Sequence, residues 1–172
     1  MNTDSTQDIP GQPQGPIIPG AAANDVTTAT GLIVSLQVGG QLCGLPVQAV
    51  RDVLGPQTIT RVPLASPEIA GNLNLRGRIV TTIDLRKRLN LEIPNDTGPA
   101  MSVVTEHGPE LYALLVDRVL EVVSVAEKRV APLPPTLAAG WSRFGTGVYQ
   151  LPEGLLIMLD VGRLLALAPR AA

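Results

Sequence analysis

Two stretches of this chain repeat two others, and that repeat limits what it can fold into. Residues 42–54, LCGLPVQAVRDVL, align with residues 111–123, LYALLVDRVLEVV, at a shift of 69. Leu42 falls on Leu111, Leu45 on Leu114, Val47 on Val116, Val50 on Val119, Asp52 on Glu121 and Val53 on Val122. The same shift carries a turn glycine, Gly39, onto Gly108. Further on, residues 79–91, IVTTIDLRKRLNL, match residues 155–167, LLIMLDVGRLLAL, at a shift of 76, with Ile83-Asp84 on Leu159-Asp160. The extra seven residues fit an insertion in the loop-rich stretch 131–147. The chain therefore reads as two copies of one five-strand unit. A unit of about 60 residues buries only ~60% of its unfolded surface. Two such units must pack together and share apolar surface, which leaves a groove between them.

Short strands punctuated by turns fill each copy. Leu32–Val38 reads as a strand, Gly39-Gly40 as a tight hairpin turn, and Gln41–Leu45 as the returning strand. Further strands are predicted at Val50–Leu54, Thr58–Val62, Arg78–Ile83, Met101–Glu106, Leu111–Val116, Val119–Val125, Gly147–Leu151 and Leu155–Leu159. With only four aromatic residues, the core must be built from Val, Leu and Ile, and the β-branched pair favours strands. Asp84 and Asp160 each end a strand and open a segment of helical character, Leu85–Leu89 and Val161–Leu167. Both aspartates fit helix caps that accept hydrogen bonds from the first free amides. A phosphate loop would need Gly-Lys, and Lys87 and Lys128 follow Arg86 and Glu127 instead.

Residues 1–30 differ from the rest, with three acids, no basic residue, and prolines at 10, 13, 16 and 19. They read as a disordered, Pro- and Gly-rich leader, too polar to fold. Domain boundaries follow as 31–91 for a first barrel and 99–168 for a second barrel with a C-terminal helix. Composition argues against several functions. The net charge of −2 and the scarcity of aromatics disfavour nucleic-acid binding. Cys43 is the only cysteine and fits a small buried thiol; neither a disulfide within the chain nor a cysteine zinc site can use it. The single histidine, His107, sits in a predicted turn, TEHGPE, where no triad partner would hold it. Carboxylates are scattered singly, so no acid–base pair is set up. No secretory signal or membrane-length apolar run is present, and a cytoplasmic protein without cofactor or metal is expected.

One stretch remains unexplained by folding alone: RVPLASPEIAGNLNLRGRIVTTIDLRKRL, from Arg61 to Leu89. A short Pro-containing turn, Asn-Leu-Arg-Gly, an apolar strand and Ile-Asp-Leu-Arg follow one another in it. This arrangement resembles the signature region of the CheW-like chemotaxis coupling proteins. The similarity extends over about Gly31–Leu167, through GGQLCGLPVQAVRDVL and LYALLVDRVLEVVSV. Two positions depart from the family pattern: Thr81 stands where proline is usual, and Ala70 precedes Gly71 where a basic residue often does.

The resemblance implies a mainly β fold of two tandem SH3-like five-stranded barrels on a shared core, with short helices. It implies no catalysis. It implies an adaptor linking the cytoplasmic tips of chemoreceptors to the regulatory domain of the histidine kinase CheA, in receptor arrays at the inner face of the membrane. Adaptor and kinase domains alternate in rings there, so self-association belongs to the same expectation. The alternative within the fold is an adaptor for pilus motility or a non-chemotactic kinase; a small-molecule-binding barrel is a third reading. By residue match, the receptor groove would involve Val50, Asp52, Ile79, Tyr112, Val119 and Val122, with Arg76 beside it and Asp52 as its matched acid. Val119 and Val122 are three apart, so they share a face only if a bulge or bend intervenes.

Overall fold

Gly39 and Gly40 adopt positive φ values of 59° and 77°, and Val38 pairs directly with Gln41. The first hairpin thus closes through the tight two-residue turn that its sequence predicts. The computed structural model describes residues 31–92, 98 and 100–167, so the expected leader, 1–30, lies outside the described residues. Along the chain run β1 (Leu32–Val38), β2 (Gln41–Pro46), a 3-10 turn (Val47–Ala49), β3 (Val50–Leu54), β4 (Ile69–Leu75) and β5 (Arg78–Asp84). After helix α1 (Leu85–Arg88) come β6 (Met101–His107), β7 (Glu110–Val116), β8 (Arg118–Ser124), helix α2 (Ala139–Phe144), β9 (Gly145–Leu151), β10 (Gly154–Leu159) and helix α3 (Val161–Leu165).

The ten strands form two five-stranded sheets, in the orders β8-β1-β2-β10-β9 and β3-β6-β7-β5-β4. Exchanging each strand of the second sheet for its mate in the other repeat reproduces the first. The two shifts read from the sequence are written into the registers: Thr81 pairs in parallel with Tyr112, and Ile157 with Cys43. Strand membership, however, does not follow the halves of the chain. Hairpin β6–β7 sits between β3 and β5, and hairpin β1–β2 sits between β8 and β10, so each half lends its hairpin to the other's sheet. Alternation of apolar residues specifies a strand's faces but not its neighbours, which is why the exchange is invisible in the pattern alone.

Two elements differ from the sequence expectation. Thr58–Val62 is not a strand. Pro56 and Pro63 flank it, and proline cannot donate to a ladder; only Thr60 pairs, exchanging two 2.8 Å hydrogen bonds with Asn72. The strand lies instead at Ile69–Leu75, whose Gly71, Asn72 and Asn74 are poor strand formers held in place by pairing with β5. An equivalent bridge joins Ala131 to Val148, so in both sheets the chain after β3 or β8 reaches across to the opposite edge. The loop-rich stretch 131–147 also contains α2. Gly140 presses against the backbone carbonyl of Leu89, leaving no room for a Cβ.

A main core fills the space between the sheets, including Leu36, Leu45, Ile83, Leu114, Ile157 and Phe144. Each sheet also encloses a smaller cluster on its other face, Ile33 with Tyr149 and Leu156 in one and Leu73 with Val80 and Ala113 in the other. Cys43 is fully buried in the main core, and burial pushes its thiol pKa well up, leaving an inert thiol.

Both aspartates cap their helices. Asp84 accepts from the Arg86 and Lys87 amides at 3.0 and 3.4 Å, and Asp160 accepts from Arg163 N at 3.1 Å. Their own amides donate to the Glu68 and Phe144 carbonyls, both at 2.8 Å, positions again one repeat apart. Asp160→Ala is expected to cost about 1 kcal/mol in urea unfolding and Asp160→Asn far less. Equal stability of the alanine variant would show that the cap contributes nothing.

Candidate interaction surface

The apolar residues singled out in the sequence lie on the inter-sheet face of the two sheets. Val50 lies opposite Thr105, Thr105 opposite Tyr112, and Tyr112 opposite Thr81, forming one row across the second sheet. The repeat-related row in the first sheet is Val119, Leu36, Cys43 and Ile157. Residues paired in this way share a face. Val50, Tyr112 and Val119 accordingly pack, partly buried, against the main core. The Tyr112 hydroxyl donates to Glu110 Oε2 at 2.8 Å, and this bond raises the phenol pKa, aided by partial burial.

A β-bulge brings Val122 into the same group. Val34 pairs with Val122 and Leu36 with Val119, so β8 spends one more residue than β1 over this interval. Val119 and Val122 therefore share the inter-sheet face, which their three-residue spacing alone would forbid. Val122 is 58% exposed and Ile79 77% exposed. Ile79 lies two steps of alternation from the core residue Ile83, so it extends the same face toward solvent.

Asp52 and Arg76 are placed elsewhere. β3 carries the repeat-related bulge: Val50 pairs with Thr105 but Asp52 with Val104, so the two residues face opposite sides of the sheet. Simple alternation would have put them together. Arg76 occupies the β4–β5 turn with φ 52°, and its Nη2 lies 3.4 Å from Asp52 Oδ2. The other Asp52 oxygen accepts from Val53 N at 2.8 Å. The pair sits in a depression of about 190 Å³ with a floor of Leu75, Val104 and Leu111 and two more arginines, Arg51 and Arg78, on its walls. The family motif did not single out those two arginines, though the spacing of Arg78 from Arg76 across the turn was a usable signal. Arg51 is committed to Glu106 at 2.5 Å.

A model of the CheW-like domain family matches residues 32–168. The chain belongs to the CheW-like domain family. The CheW chemotaxis protein of Rhizobium meliloti is 28% identical over 138 residues, covering 80% of this chain and 88% of that one. The crystal structure of the scaffolding protein TtCheW from Thermoanaerobacter tengcongensis superposes with a TM-score of 0.72 at 26% identity, covering 83% of this chain and 97% of that one. Protein PilI of Pseudomonas aeruginosa is 25% identical over 124 residues, covering 72% of this chain and 70% of that one. Thr81, the departure from the CheW-like pattern, pairs within β5 with both Asn72 and Tyr112, so the missing proline leaves an unbroken strand. Among the described residues, no helix is long and apolar enough to cross a membrane.

Proposed function

We propose that this chain is a non-catalytic chemotaxis adaptor, joining the cytoplasmic tips of chemoreceptors to the histidine kinase CheA at the inner face of the membrane. Membership of the CheW-like family over residues 32–168 carries the reading. The receptor-facing surface is the apolar rim of Val50, Ile79, Tyr112, Val119 and Val122, with Asp52 and Arg76 around the edge of β3. An amphipathic helix docks by laying an apolar stripe into a groove of this kind, so a helical segment of the receptor tip is the partner that this surface fits. The exposed valine and isoleucine supply contact area at little cost in side-chain entropy.

Val122 separates this surface from the core. The residue is 58% exposed, so Val122→Asp is expected to leave the melting temperature unchanged. Co-sedimentation with receptor-containing membranes should weaken by about tenfold, as for a charge placed in an apolar contact. Val119→Asp should weaken binding too, but with a stability loss, because Val119 packs against the main core. Unchanged sedimentation of both variants would remove this face from the receptor contact. The similarity to PilI keeps a pilus-system adaptor as the second reading. It is favoured if the chain restores receptor-stimulated activity to the pilus kinase of its host and not to the chemotaxis kinase.

A further inference from the structure

We infer that Ser35 is a positioning residue for the partner-binding surface: its buried hydroxyl holds the β8 bulge that turns Val119 and Val122 to one face. This rests on the adaptor reading above and adds to it the device that shapes the surface.

Ser35 is 2% exposed and lies on β1 between Val34 and Leu36, the two residues whose partners on β8 are three apart. Its Oγ donates to the Glu121 carbonyl at 2.7 Å and accepts from the Glu121 amide at 3.0 Å. One hydroxyl thus satisfies both backbone groups of a residue within the bulge. An extra residue in an edge strand leaves its amide and carbonyl out of the ladder. If they turned to water instead, β8 could slip by one residue, and a one-residue slip sends side chains to the other face. Val122 would then leave the inter-sheet rim. Serine suits the task because its oxygen both donates and accepts.

The repeat provides an internal comparison. The position related to Ser35 is Val104, and the residue related to Glu121 is Asp52. β3 has its bulge at the same place, yet valine cannot hold it. There, Asp52 accepts from the next amide, Val53 N, with one oxygen and faces Arg76 with the other. Equivalent bulges are therefore fastened by different chemistry, a buried hydroxyl in one sheet and a carboxylate at the surface in the other.

The test uses the full chain with receptor-containing membranes, and amide hydrogen exchange on the free protein. Ser35→Ala is expected to lose protection at the Glu121 amide and to weaken sedimentation by about tenfold. Ser35→Thr keeps the hydroxyl and should recover most of both. In the Val122→Ala background, Ser35→Ala should have little further effect, because its action runs through that side chain. Should Ser35→Ala sediment like the parent while Val122→Asp fails to, the inference is wrong and the adaptor surface stands. Additive losses from Ser35→Ala and Val122→Ala would also overturn it, by showing a general loss of fold. If neither Val119→Asp nor Val122→Asp changes sedimentation, the surface reading itself fails and takes the binding role of Ser35 with it.

Discussion

Arg86→Ala is expected to destabilise the fold by about 2–4 kcal/mol, more than any loss attached here to a helix cap. The guanidinium reaches the Asp117 carboxylate through Nε and Nη2, both at 2.6 Å, with side-chain exposures of only 14% and 23%. Asp117 Oδ2 also accepts from Gly39 N at 2.8 Å, and the Asp117 amide donates to the Gln37 carbonyl at 3.0 Å. The pair therefore ties α1, the β7–β8 turn and the β1–β2 turn into one network across both sheets. The hydrogen bond to Asp117 raises the Arg86 pKa despite some burial, so the guanidinium stays charged. Removing the arginine leaves a part-buried carboxylate without its counter-charge. Denaturant unfolding measures the loss. Arg86→Ala combined with Asp117→Asn should cost clearly less than the sum of the single changes, and strict additivity would dissolve the network.

Arg76→Asp should behave in the opposite way, sparing the fold and removing function. The arginine side chain is 84% exposed and its 3.4 Å contact with Asp52 is long, so stability should change by about 0–1 kcal/mol. Coupling should suffer more, since an interface charge left without its partner costs about 2–5 kcal/mol once buried. The reversed pair, Arg76→Asp with Asp52→Arg, should restore part of the coupling. Receptor-stimulated kinase activity is the readout. Full activity of Arg76→Asp would make this a plain surface arginine, and absence of rescue would retain the contact while releasing Asp52 from it.

Much of this was legible in the chain because strands and caps leave local marks. Alternating valines and leucines located nine of the ten strands, and the acid after each apolar run marked Asp84 and Asp160 as caps. The spacing of Val119 and Val122 demanded a bulge, and one is there. β4 escaped because its asparagines and glycine have no strand preference of their own; they are extended only because β5 pairs with them. The arginine of Ile-Asp-Leu-Arg stood in plain view, but its acid is 31 positions away and no periodicity links the two. Likewise, Val50 and Asp52 look like neighbours on one face until the partner strand shows the bulge between them.

The exchange of hairpins has a consequence for where such a chain can come from. A polypeptide carrying one repeat could finish neither sheet, since the second and third strands of each order come from the other copy. Two separate copies could finish both, by trading hairpins across a two-fold axis. The present molecule has the architecture of that swapped homodimer written into a single strand of peptide. Joining the copies turns an encounter between molecules into one within a molecule and frees the halves from symmetry. Once they share a chain, one can keep Ser35 and the other Asp52 at matching bends, and the two ends of a formerly identical pair can present different faces.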